Sequence, residues 1–122
     1  MHIALIRPSI FSSINSFSAP VTPPLALAYL SASLKKEGFS VESVDAVGEA
    51  IDQVSLFEKP EGRVRGLSIE KILQRIPKET DLIGISCMFS QEWPFVKTLV
   101  EAIGLKLPNT PSPRVLKNPL NA

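Results

Sequence analysis

The chain has 122 residues, enough for one domain whose core buries roughly two-thirds of the surface exposed by the unfolded chain. With 44% hydrophobic and 20% charged residues, it is too apolar to remain disordered. Thirteen basic residues against twelve acidic ones leave a net charge of +1, which provides no strong field for nucleic acid or an anionic membrane. A single cysteine excludes an internal disulfide and a multi-cysteine metal site, and a single histidine, His2, excludes a His-rich zinc site.

The elements follow in chain order. Ile3-Ala4-Leu5-Ile6 is a short apolar run that stops at Arg7-Pro8 and reads as a buried strand. It is too short for a signal-peptide core, and no later apolar stretch reaches the ~18 residues of a membrane span, so the expected location is cytoplasmic. Thr22 is placed to cap a helix, Pro23 and Pro24 suit its first turn, and residues 25–36 follow. That helix is apolar nearly all round, which predicts packing against a sheet. Lys35, Lys36 and Gly38 are the expected C-terminal cations and glycine. Residues 41–44 read as a second strand, polar enough to lie near an edge.

Residues 46–66 carry mixed signals. Val47, Ile51 and Val54 have helical spacing, Pro60-Glu61-Gly62 is a turn, and Arg63-Val64-Arg65 alternates like a strand. Ser68 is a helix cap ahead of Ile69, Ile72, Leu73 and Ile76 at i, i+3, i+4, i+7, and Pro77 closes that helix. Residues 82–87 form a third strand, apolar on both faces and therefore central. Ser90 is a second cap, and Val96, Leu99, Val100, Ile103 and Leu107 form the stripe of a last helix with Pro94 in its first turn. The tail, residues 106–122, has no acidic residue and four prolines, and is read as extended or disordered.

Alternating strands and helices predict an α/β fold with a parallel sheet in order 2-1-3. Ligands bind outside the carboxyl ends of strands where such a sheet changes winding direction. The loop after Ile6 and the loop after Cys87 would meet there. The first, residues 8–22, runs for fifteen residues without a charge and interleaves serines with Ile10, Phe11, Ile14 and Phe17. It reads either as a mobile flap or as a neutral, hydroxyl-bearing wall for a large uncharged ligand. The second, residues 88–93, combines a methionine, two aromatics, a serine and a glutamine. It would suit a flat macrocycle, or its Phe89 and Trp93 would pack the helix start onto the sheet.

Other chemistries find no support. There is no G-x-G-x-x-G after the first strand and no P-loop, and Asp45 reads as a turn or cap residue rather than a ribose-binding acid. Arg7 and Ser86-Cys87 stand where a signalling receiver would carry acids. His2 has no paired nucleophile, Cys87 reads as a buried small hydrophobe, and no carboxylate pair is placed for acid–base work.

The stretches Ile3-Ala4-Leu5-Ile6-Arg7-Pro8, Pro23-Pro24-Leu25-Ala26-Leu27-Ala28-Tyr29-Leu30, 41–45 and Ile83-Gly84-Ile85-Ser86-Cys87-Met88 resemble the amino-terminal cobalamin-binding domain of cobalamin-dependent radical S-adenosylmethionine enzymes. The likeness spans about residues 1–105. It implies a Rossmann-like, flavodoxin-like domain that holds the corrin ring against carboxyl-end loops. The implied contacts are Pro8, Ser12, Ser13, Thr22, Pro23, Pro24 and Leu25 from the first loop and helix start. The second side supplies Ser86, Met88, Phe89, Ser90 and Gln91. The D-x-H-x-x-G motif that provides a lower histidine ligand is absent, so the cofactor would be held by its ring face and amides.

The resemblance also implies a fourth strand and a glycine-rich closing loop. Here only Val115-Leu116 stands as a remnant of that strand, which predicts an incomplete, truncated domain. The C-x-x-x-C-x-x-C motif is missing, so no iron–sulfur cluster and no radical chemistry are expected from this chain alone. A missing fourth strand would leave residues 82–87 as an apolar edge, prone to self-association or pairing with a partner chain. The rival expectation is therefore a non-catalytic interaction module, or a degenerate fragment of a split gene, docking through that edge.

Overall fold

A computed structural model of the chain describes residues 1–13, 24–58, 61–87, 92–106 and 114–117. The first apolar run forms β1 (His2–Arg7), and the central run forms β6 (Leu82–Cys87). β1 lies between β3 (Ser40–Asp45) and β6, parallel to both. Ile3 pairs with Val41 on one side and with Leu82 on the other. β3 is the edge strand, as its polar sequence predicts. The architecture is mixed α/β with a parallel sheet and helices.

The expected open edge at residues 82–87 is not there. β7 (Arg114–Lys117) pairs parallel with β6, from Gly84 with Arg114 to Cys87 with Lys117. The apolar run is thus flanked by strands on both sides over Gly84 and Ile85, which meets the backbone needs of a central strand. Within the proline-rich tail, these four residues, Val115-Leu116 among them, are extended and ladder-bonded as the fourth strand of the sheet.

The helices divide the sheet into two unequal faces. α3 (Ile69–Arg75) and α4 (Trp93–Lys106) lie on one face, where Ala4, Ile6, Val44, Ile83, Ile85 and Cys87 meet Ile72, Val96, Leu99 and Ile103 in the main core. Ser68 caps α3 by accepting a hydrogen bond from the Lys71 amide, so the cap and the i, i+3, i+4, i+7 stripe both stand as read.

α1 (Leu25–Lys36) lies against β3 and β1 on the other face. Pro24 occupies its N-cap position rather than its first turn, Thr22 and Pro23 lie outside the described residues, and Gly38 ends it at φ +94°. Its all-round apolar surface predicted burial, yet Leu25 is 64% and Tyr29 73% exposed, and Ser31 is its one buried residue. One helix on the sheet's edge presents only one stripe to that sheet, here Leu27, Ser31 and Leu34, and the rest faces out.

Residues 46–66, with residues 10–13, build a second, antiparallel sheet, of which periodicity shows only the Arg63-Val64-Arg65 strand. The helical spacing survives only as α2 (Ala46–Glu49); Val54 belongs instead to β4 (Val54–Phe57). β5 (Gly62–Arg65) takes the alternating Arg-Val-Arg segment and pairs with both β4 and β2 (Ile10–Ser13). The start of the uncharged loop is therefore a strand and not a flap, because Phe11 needs a buried face. Phe11 stacks edge-on against Phe57 at 5.6 Å, and Phe57 does the same against Phe95 of α4. Phe95 (2% exposed) holds the helix start to the core, whereas Trp93, expected to do so, is 41% exposed. Among the described residues no helix is long and apolar enough to cross a membrane.

Candidate functional site

Parallel pairing sends β1, β3 and β6 out of the sheet at one rim. Arg7 ends β1 opposite Asp45 at the end of β3, and their side chains form an ion pair at 2.9 Å, both largely shielded. The alternation of a strand places Arg7, Asp45 and Ser86 on the α1 side of the sheet, since Ile6, Val44 and Ile85 face the main core. The rim therefore carries a polar row whose charges cancel.

Asp45 has a second task. Its carboxylate accepts a hydrogen bond from the Gly48 amide at 3.0 Å and caps α2, as the sequence suggests. Asp45→Ala removes both the cap and one ion-pair partner of a shielded guanidinium. We expect a loss of about 1–2 kcal/mol in urea unfolding. A change below ~0.3 kcal/mol, inside the noise of such measurements, would show that neither contact matters to the fold.

Beside this row, α1 and β3 border an open groove of about 420 Å³. Leu27, Ala28 and Ser31 line it from the helix, Ser43 and Asp45 from the strand, with Lys35 at one end and Pro24 at the other. Of these residues only Pro24 is among the expected cofactor contacts. The signal was present: 24, 27, 28, 31 and 35 share one helical stripe, and 43 and 45 share one strand face.

The predicted contacts scatter. Pro8 is buried at the rim, Ser86 is half-buried in β6, and Pro24 lines the groove. Leu25 is exposed at the start of α1. Ser12 and Ser13 belong to β2, opposite Arg63 and Gly62, and so are carried into the second sheet. Thr22, Pro23, Met88, Phe89, Ser90 and Gln91 lie outside the described residues. Ser9, the first serine of the uncharged loop, is buried and donates its hydroxyl to the Leu67 carbonyl at 2.6 Å, a structural link between the two sheets.

No cluster of three His, Cys, Asp or Glu residues that could hold a metal exists among the described residues. His2 sits at the amino end of β1, a strand length of roughly 17 Å from the rim, where its backbone exchanges hydrogen bonds with Asp81. The Cys87 thiol is buried. Comparison with family models, curated proteins and solved structures yields no match.

Proposed function

We propose that the carboxyl-end rim binds a corrinoid, on a sheet wound in the flavodoxin-like order 2-1-3. The observation that carries this reading is the parallel pairing of β1 with β6, from Ile3 with Leu82 to Ile6 with Ile85. It makes the exits toward Pro8 and toward residues 88–91 neighbours at a single rim. The sequence resemblance assigns the ring to those two exits.

The residues present suit a cofactor that brings its own metal ligands. The corrin nitrogens hold cobalt without help, and no histidine of this chain stands at the rim. The Arg7–Asp45 pair with Ser86 offers donors and acceptors with no net charge, as an amide-fringed neutral macrocycle requires. A whole corrinoid exceeds the α1–β3 groove, which matches the low end of drug-sized sites, so the ring would lie across the rim. The exposed Leu25 and Tyr29 offer apolar surface at the start of α1. This chain would then act as a carrier or binding module, with the radical chemistry supplied by a separate iron–sulfur domain.

Titration of the purified chain with hydroxocobalamin tests the proposal. The expected result is a saturable change in the corrinoid absorption bands with a Kd in the micromolar range, about −8 kcal/mol. Ser90→Ala and Gln91→Ala should each weaken binding by roughly 2- to 10-fold, the loss of one hydrogen bond. An unchanged spectrum and no heat of binding with ligand in large excess would remove the proposal.

A further inference from the structure

β4 is the outer strand of the second sheet, whose order is β2-β5-β4. Its open side is defined by the ladder. The Gly66 amide donates to the Gln53 carbonyl at 2.9 Å, and the register runs Val54 with Arg65, Ser55 with Val64. Antiparallel ladders bond alternate residues. Gln53, Ser55 and Phe57 therefore point their backbone groups at β5, and Val54 and Leu56 point theirs outward. Among the described residues no backbone bond satisfies them on that side.

This edge also lacks the usual protections. Residues 54–57 contain no charge and no proline, Val54 is 49% and Leu56 74% exposed, and Ser55 between them is exposed too. A partner strand must meet two conditions: bond to the outward groups, and keep apolar side chains on one face. The strand itself meets both.

We propose that β4 pairs antiparallel with β4 of a second copy of this chain, about a two-fold axis through Ser55. Val54 of each copy then faces Leu56 of the other. Each such pair exchanges two N–H···O=C bonds, four in all, and the two three-stranded sheets become one of six strands. Val54 and Leu56 share one face of the sheet, so the two pairs form a continuous aliphatic patch across the join. An axis one half-step away sets Val54 opposite Phe57, whose groups point inward and whose ring packs on the opposite face. An axis through Val54 or Leu56 leaves the other residue without a partner inside the strand. The interface is isologous, so it closes as a dimer and does not propagate.

The contact is small, below the ~1,000 Å² of stable complexes, so the dimer is weak and concentration-dependent. Asp52 of one copy and Glu58 of the other flank each end of the paired stretch, so added salt should strengthen association.

Sedimentation equilibrium of the full chain, from micromolar to millimolar concentration, tests this. The wild type should show a reversible monomer–dimer equilibrium. Combining Val54→Lys with Leu56→Lys should weaken it by about tenfold or more, because like charges then face each other. Combining Val54→Glu with Leu56→Glu should do the same. An equimolar mixture of the two double variants should recover a heterodimer. Leu105→Lys, at an 85% exposed position of α4, should change nothing. Should the charged variants fail to fold, amide exchange of the wild type decides: protection of Val54 and Leu56 must rise with protein concentration. A wild type monomeric at every concentration, a lysine variant that dimerises normally, a mixture that stays monomeric, or exchange at Val54 and Leu56 independent of concentration would each overturn the proposal.

Discussion

Gly66→Ala is expected to destabilise the fold by about 3 kcal/mol or more, a large part of the 5–15 kcal/mol that holds a domain of this size together. Gly66 adopts φ +124°, a conformation L side chains rarely enter. A Cβ built there stands 2.7 Å from the Ala46 carbonyl oxygen and 2.7 Å from the Ser9 hydroxyl. The first contact is with backbone and cannot be relieved by a rotamer change. Three bonds converge on the same turn: Gly66 amide to Gln53 carbonyl, Leu67 amide to Ala46 carbonyl at 3.0 Å, and Ser9 hydroxyl to Leu67 carbonyl. The substitution therefore strains the joint between the two sheets. Urea unfolding should show a sharply lower midpoint; a loss under ~1 kcal/mol would mean that the turn relaxes freely.

Phe95→Ala is expected to cost about 3–5 kcal/mol, the range for removing a buried phenylalanine. Phe95 is 2% exposed and begins the inward stripe of α4. It also ends the aromatic row Phe11–Phe57–Phe95, with ring centres 5.6 Å apart at both steps. Its loss opens a cavity in the main core and detaches the second sheet from α4. A double-mutant cycle with Phe57→Ala separates these effects. Coupling of ~0.5–1.5 kcal/mol is expected for an edge-to-face pair. A coupling near zero would show that the second sheet is held by its backbone joint and not by the aromatic row.

At both positions the contacts that matter are made with distant parts of the chain, which local sequence patterns do not reach. Gly66 carries no motif, and its requirement arises only because residues 9, 46 and 53 converge on it. β2 and β5 are four residues each and pair across about fifty positions of chain. The alternation of Arg63-Val64-Arg65 marks β5 as a strand but names no partner, and β2 buries a single side chain, Phe11, too few for a periodic signal. The candidate site divides in the same way. Asp45 was readable as a cap because the cap is local. Its ion pair with Arg7 was not, since it depends on which strands are neighbours.

Local and periodic features are legible in the residues alone. The apolar runs 3–6 and 82–87 demanded burial on both faces, the stripe from Ile69 to Ile76 demanded a core on one side, and Ser68 and Gly38 marked helix ends. Those features act within a few residues, through side-chain spacing and backbone bonding. Which surfaces find partners is settled only in the folded chain. β7 covers an edge expected to be bare, α1 leaves Leu25 and Tyr29 to solvent, and β4 ends the second sheet with its bonding groups turned outward. Apolarity states that a surface gains from contact, but the contact itself depends on residues far along the chain or on another chain.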